Sequence, residues 1–238
     1  CPVFGGKVKS FNADRALKMK GVRKVVAVSS GVAVVADNFW AAKKGRDALE
    51  VIWDEGAVVK VNTPDLFRQW AELAKRPTAA ERLKTGDVGA ALAAGAKRVE
   101  AVYEIPFLAH TCMEPMNATA HFKGNSVEIW APTQAQSWNA HNVSQMTGVP
   151  PSAITVHATL LGGGFGRRLE SDYAVEAAEV SKAAGGVPVK VVWTREEDVQ
   201  HDFYRPASYN ALSAALDANG KPTAGKHRIV GASIPNYF

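Results

Sequence analysis

Apolar residues recur at two different periods along this chain, and each change of period marks an element. Valines from Val22 to Val28 and from Val32 to Val35 flank Ser29-Ser30-Gly31, which predicts a hairpin. Asp37-Asn38 stands in capping position before a helix expected over 39–49, and a strand is expected over 50–53. Trp40 and Trp53 are assigned to the core of this first unit. Thr63-Pro64 reads as an N-cap with proline at the first helical position, opening a helix toward Ala74. Residues 75–86 carry charge without a period and read as an exposed connector. A short helix follows from Asp87 to Gly95.

From Lys97 the period becomes two, placing Val99, Ala101, Tyr103 and Ile105 on one face of a strand. Two more strands are expected over 118–122 and 126–130, joined by Lys123-Gly124-Asn125. Thr133 is the expected N-cap of a helix to Thr147, with Gly148 just past its end. A strand over 154–158 then leads into a glycine loop, a helix over 172–184 and a strand over 189–193. Thr194-Arg195-Glu196-Glu197 spells a capping box, and Asn219-Gly220 marks a two-residue hairpin turn. The fold class is therefore α+β. The expected domains are 1–60, a helical connector over 61–96, and 97–238.

The composition is globular, 47% hydrophobic and 21% charged over 238 residues. A net charge of +5 favours an anionic ligand, yet no basic stripe of the kind nucleic acid requires is present. No apolar run approaches the roughly 18 residues that span a bilayer. The chain begins Cys1-Pro2-Val3 rather than with Met, so it is read as an internal piece of a longer polypeptide. Cys1 and Cys112 are the only cysteines, which excludes a four-thiolate iron–sulfur or zinc site on this chain.

The candidate chemistry centres on the loop from Leu160 to Glu170. Gly162, Gly163, Gly164 and Gly166 surround Phe165, and glycines there let the backbone take φ > 0 and approach a ligand closely. Their amides would face an anionic or oxo group ahead of the next helix, with Arg167 and Arg168 adding fixed positive charge. The plainer reading is a tight turn with a solvated arginine pair. Arg167-Arg168 stands where a P-loop needs Lys-Ser/Thr, and Arg167 stands where a dinucleotide loop needs its third glycine. Gln134 occupies a similar strand-to-helix corner, where its amide can both donate and accept, or simply face water. His110 and Glu114 are read as a structural hydrogen-bonded pair, and Glu196, Glu197 and Asp198 as a solvated helix start. The string from His201 to Pro206 is assigned to packing. The six histidines lack metal-ligand spacing, so no metal is expected directly on protein ligands. No G-x-S-x-G elbow occurs.

Four stretches together resemble the large, molybdopterin-binding subunit of the xanthine oxidase family of molybdenum hydroxylases. They are Trp130-Ala131-Pro132-Thr133-Gln134-Ala135-Gln136, Leu161-Gly162-Gly163-Gly164-Phe165-Gly166-Arg167-Arg168, His110-Thr111-Cys112-Met113-Glu114-Pro115, and the run from Val189 to Asp198. The nearest types are the isoquinoline 1-oxidoreductase β-subunit and bacterial aldehyde dehydrogenases, and the first unit resembles the α/β-hammerhead domain. The resemblance implies that Gln134, Gly163, Gly164, Phe165, Gly166 and Arg167 bind cofactor, with Gln134 and the Gly166 amide addressing a molybdenum oxo group. It implies that Phe165, Met113 and Glu114 line the substrate pocket. It further implies an oxidoreductase that hydroxylates N-heterocycles or oxidises aldehydes with water as oxygen source. The cofactor would be molybdopterin in its cytosine dinucleotide form. Electrons would leave through 2Fe–2S clusters on a small partner subunit to an acceptor such as a cytochrome.

The family's catalytic glutamate is expected beyond Phe238, in the remaining C-terminal part of the subunit, so this piece alone should be inactive. Leu169 stands where many relatives carry Glu, and substrate preference is expected to differ from xanthine oxidation. The compartment implied is the bacterial periplasm, with the cytoplasm as the other choice. The competing reading is a non-catalytic binding or assembly module that keeps the fold without the cofactor.

Overall fold

The computed structural model describes residues 1–77 and 80–232; Thr78 and Ala79 of the expected connector and the closing residues 233–238 lie outside the described residues. Elements follow in the order β1 (Lys7–Asn12), α1 (Asp14–Leu17), β2 (Val22–Val28), β3 (Gly31–Ala36), α2 (Phe39–Asp47) and β4 (Glu50–Asp54). Next come α3 (Thr63–Lys75), α4 (Val88–Ala94), β5 (Lys97–Ile105), β6 (Asn117–Phe122), β7 (Val127–Ala131) and α5 (Gln136–Thr147). The chain continues through β8 (Ile154–Ala158), α6 (Asp172–Ala183), β9 (Val189–Val192), α7 (Arg195–Gln200), β10 (Ser208–Leu216) and β11 (Pro222–Gly231). Helices and sheets thus mix as the α+β expectation requires. No helix among the described residues is long and apolar enough to cross a membrane.

Two compact units form. One joins Cys1–Val59 to Ala109–Phe203, and the other joins Lys60–Leu108 to the chain from Tyr204 onward. In the first unit, β2 and β3 make the expected antiparallel hairpin, while β4 pairs antiparallel with β1, a strand the valine pattern did not announce. The Asn38 side chain caps α2 by accepting from Ala41 N at 3.0 Å. Gly45 of α2 is buried against the hairpin, where an added Cβ would lie 2.8 Å from Val22 Cγ2 and 2.9 Å from Val34 Cγ1. Gly45→Ala would gain about 1 kcal/mol of helix propensity against an overpacking cost of about 1–3 kcal/mol. A net loss of stability on chemical denaturation is therefore expected.

The centre of this unit is a four-stranded sheet in the order β8-β7-β6-β9. β6 pairs antiparallel with β7 and β9, whereas β7 and β8 run parallel across the α5 crossover. Its core is built from Ala118, Ala120, Val127 and Ile129 of the sheet against Ala174, Ala177 and Ala178 of α6. Alanines at those helix spacings give α6 a narrow apolar stripe that can sit close to the strands.

In the other unit, β10 is the middle strand between β5 and β11, both antiparallel to it. Asn62, rather than Thr63, caps α3 by accepting from Asp65 N at 3.0 Å. The β10–β11 turn is longer than Asn219-Gly220 implies. Asp217 Oδ1 accepts from both Asn219 N (2.8 Å) and Lys221 N (2.9 Å), so a local carboxylate organises the bend.

Three further expectations are corrected. Trp40 is 59% exposed rather than core, with Lys43 and Lys44 over its ring. Cationic neighbours on one helix face supply a partner for the ring that needs no burial. Thr133 does not cap α5, which starts at Gln136; its hydroxyl instead accepts from Ala135 N at 3.0 Å, one step ahead of the helix. Asp198 is buried, although Glu197 completes the predicted capping box on Thr194.

Glu176 of α6 accepts from Trp193 Nε1 at 2.8 Å in a site where burial pushes its carboxyl up to about 7, opposed by the Ser30 hydrogen bond. A raised native pKa means that the folded state holds more protons than the unfolded one between pH 4.5 and 7. Stability is therefore full below that window and is lost as pH rises through it. Since each pKa unit is worth about 1.4 kcal/mol, the rise from 4.5 to about 7 makes the loss by pH 8 of order 3 kcal/mol. Glu176→Gln should remove that slope and unfold at higher denaturant than the parent at pH 8, with little difference near pH 5.

Candidate functional site

The topology brings four chain segments to one end of the four-stranded sheet. Because β7 and β8 are parallel, with Ala131 opposite Ala158, the segments leaving them start side by side. Thr159 N continues the ladder to Ala131 O at 3.1 Å. β6 runs the other way, so residues 110–116 enter at this same end, and β9, paired with it, delivers 193–202 there. Ligands of open sheets with parallel strands collect outside the carboxyl ends of those strands. Gln134 and the glycine loop both lie there.

At the centre, Gln134 Oε1 accepts from Gly166 N at 3.2 Å and from Arg168 N at 3.3 Å. The two corners therefore meet directly. Both donors grip the carbonyl side of the amide, which fixes its orientation and leaves Nε2, a pure donor, as the end available to a ligand. The loop that makes this possible is bent at Gly163 (φ 100°), Phe165 (φ 55°) and Gly166 (φ 99°). Phe165 is the costly member, since a non-glycine residue at positive φ is strained. Phe165 is 74% exposed, and Met113, on the loop that meets Gly162 through Glu114, is 88% exposed. Gly164 packs so tightly that a Cβ there would lie 2.7 Å from Gln134 Oε1, and one on Gly162 would lie 2.4 Å from Glu114 Cβ. Over Gly166 there is room, the nearest atom to an added Cβ being His110 Nε2 at 4.0 Å.

Beneath this surface lies buried charge that the local sequence did not reveal. Arg168 and Arg167 are fully enclosed, which corrects both the added-charge and the solvated-pair readings. Arg168 donates to Gly163 O (2.7 Å) in its own loop and to Glu114 O (2.8 Å) and Glu114 Oε2 (2.9 Å), with a weaker contact to Pro132 O (3.4 Å), so it ties the glycine loop to two others. Glu114 Oε2 also accepts from Gly162 N at 3.0 Å. Arg167 is bidentate on Asp172 at 2.9 and 2.7 Å, and its guanidinium lies over Trp193 and Phe203. Its Nε sits 2.8 Å from Asp202 Oδ1, an ionic contact without hydrogen-bond alignment. The Arg167 side chain thus belongs to the frame under the loop rather than to its open face.

His110 and Glu114 do not pair with each other. His110 instead meets Asp202, through its backbone N–H at 2.5 Å and Nδ1 at 3.0 Å. Asp202 is the residue sequence reasoning missed, because its partner stands 92 positions away and no local spacing announces it. Cys112 is buried, and burial pushes its thiol up, away from the reactive thiolate form. No group of three metal-ligating side chains occurs among the described residues.

Similarity to known proteins identifies the family of this chain. Residues 72–233 match the model of the molybdopterin cofactor-binding domain. The chain is 34% identical over 229 residues to the membrane-bound aldehyde dehydrogenase (pyrroloquinoline-quinone) of Gluconacetobacter polyoxogenes, covering 93% of this chain and 30% of that protein. It is 31% identical to the isoquinoline 1-oxidoreductase subunit beta of Brevundimonas diminuta, covering 100% of this chain and 32% of the relative. Among solved structures, quinoline 2-oxidoreductase from Pseudomonas putida 86 shares the fold with a TM-score of 0.70 at 19% identity, over 96% of this chain and 34% of that one. Aldehyde oxidoreductase from Desulfovibrio gigas does so at 0.71 and 17%, over 95% of this chain and 29% of that one. The chain spans about a third of the length of these two curated relatives. It belongs to the molybdopterin cofactor-binding domain family, within the xanthine oxidase family of molybdenum hydroxylases.

Proposed function

We propose that this chain forms one wall of the molybdenum-cofactor site in an oxidoreductase that hydroxylates N-heterocycles of the isoquinoline kind or oxidises aldehydes. The observation that carries the reading is the Gln134 amide, gripped on its oxygen by two backbone N–H groups so that its NH₂ is the outward donor. A fixed donor aimed at a charge-bearing oxygen, beside a glycine loop that leaves room over Gly166, fits an oxo-bearing cofactor. Gln134 would hold that oxygen, while Gly163, Gly164 and Gly166 let the backbone pass close beside the group. Arg167 and Arg168 keep the loop in that shape from below. When bound, the cofactor supplies the two-electron redox chemistry and the transfer of oxygen from water.

Phe165 and Met113 stand exposed beside the loop and would form the apolar flank of the substrate position, with the Glu114 loop as its floor. The first sixty residues serve as the hammerhead-like domain. The proton acceptor of the reaction comes from the remainder of the subunit, so this chain by itself would not turn over. With only two cysteines here, electrons would leave through iron–sulfur clusters on a small partner subunit. The dinucleotide form of the cofactor is taken as cytosine and the compartment as the periplasm.

The test is metal and pterin analysis of the full-length complex, with a Gln134→Ala variant alongside. Stoichiometric molybdenum in the parent and a loss of about tenfold or more in the variant's activity are expected, the range for one lost oxo-directed donor being 10²–10³ at its strongest. An active parent complex free of molybdenum and pterin would overturn the reading.

A further inference from the structure

We infer that His110 is a ligand-contacting residue of this site, its Nε2 accepting a hydrogen bond from a hydroxyl or water held opposite the Gln134 amide. The inference rests on the cofactor-site reading above. The contact that fixes the His110 ring, its pairing with Asp202, does not involve Gln134. The ring is anchored at one end only: Nδ1 lies 3.0 and 3.2 Å from the two oxygens of Asp202, whose carboxylate also accepts the His110 backbone N–H. Asp202 is itself buried and held by Arg167, so this anchor cannot swing. A carboxylate on Nδ1 selects the tautomer that carries its proton there and leaves Nε2 with a lone pair.

Nε2 has no hydrogen-bond partner among the described residues, and it is the nearest atom to the open space over Gly166, at 4.0 Å from a Cβ built there. The backbone donors on that side, Gly166 N and Arg168 N, are already engaged by Gln134 Oε1. The corner therefore offers one donor end, Gln134 Nε2, and one acceptor end, His110 Nε2. A hydroxyl or water has both a lone pair and a proton and is the smallest ligand to satisfy the two together. A histidine that served only to hold Asp202 would need Nδ1 alone; this ring, 18% exposed, also presents Nε2 beside the glycine loop.

Two substitutions separate the roles, because Asn places an amide where Nδ1 stands and Gln places one where Nε2 stands. In the full-length complex, His110→Asn keeps a donor for Asp202 and is expected to lower kcat/KM by about tenfold or more. His110→Gln should recover most of that loss. Independently of turnover, pulsed EPR of the molybdenum centre in complex labelled with ¹⁵N-histidine should show a nitrogen coupling that His110→Asn abolishes while molybdenum content holds. A His110→Asn complex with parental kinetics, or a coupling absent from the parent or unchanged in the variant, would overturn the inference while leaving the cofactor reading intact. A parent complex without molybdenum would overturn both.

Discussion

Arg168→Ala is expected to destabilise the subunit by about 3 kcal/mol, toward the lower end of the cost of breaking a buried ion pair because Glu114 keeps some solvent contact. The reason is the number of groups stranded at once. The guanidinium satisfies Gly163 O, Glu114 O and Glu114 Oε2 from a position with no exposure, and a weaker contact reaches Pro132 O at 3.4 Å. Alanine would leave acceptors from three loops facing one another without a donor. Arg168→Lys should recover little, since a single ammonium cannot reproduce a planar fork that reaches three separate loops. Urea unfolding of the two variants against the parent checks this, and a midpoint unchanged within error in the alanine variant would contradict it.

That arginine also shows where the sequence was legible and where it was not. Local signals carried the elements: the valine hairpin, the capping box at Thr194 and the left-handed Gly148 at the end of α5 all appear as read. The two site corners were legible for the same reason, since a glycine loop after a strand and a glutamine at a strand-to-helix junction are local patterns. Arg167 and Arg168 were not. Two adjacent arginines read as surface charge, and their burial depends on Glu114, Asp172 and Asp202 arriving from elsewhere in the fold. Buried charge of this kind follows from long-range pairing, and spacing within one segment cannot report it. The partner of His110 was hidden in the same way.

Gly164→Ala is expected to leave the fold standing and still empty the site. Its methyl would lie 2.7 Å from Gln134 Oε1 and 2.9 Å from Cδ, closer than side-chain carbons approach one another. The glutamine can yield by rotating, because it is exposed and only its oxygen is held. Rotation breaks both backbone contacts and turns the NH₂ end away from its position. With overpacking worth about 1–3 kcal/mol, cofactor affinity should fall by roughly ten- to a hundredfold. Molybdenum content after dialysis of the full-length complex reads the effect, and circular dichroism checks that the secondary structure is kept. Equal retention of metal by parent and variant would show that the Gln134 corner does not hold the group.

The convergence of these corners on one cofactor is tested most directly by an experimental structure of the full-length subunit in its metal-loaded complex. The expected result is a cofactor oxygen within hydrogen-bond distance of Gln134 Nε2, with the Gly162–Gly166 backbone alongside it. A molybdenum centre seated elsewhere, with Gln134 facing only solvent, would contradict it.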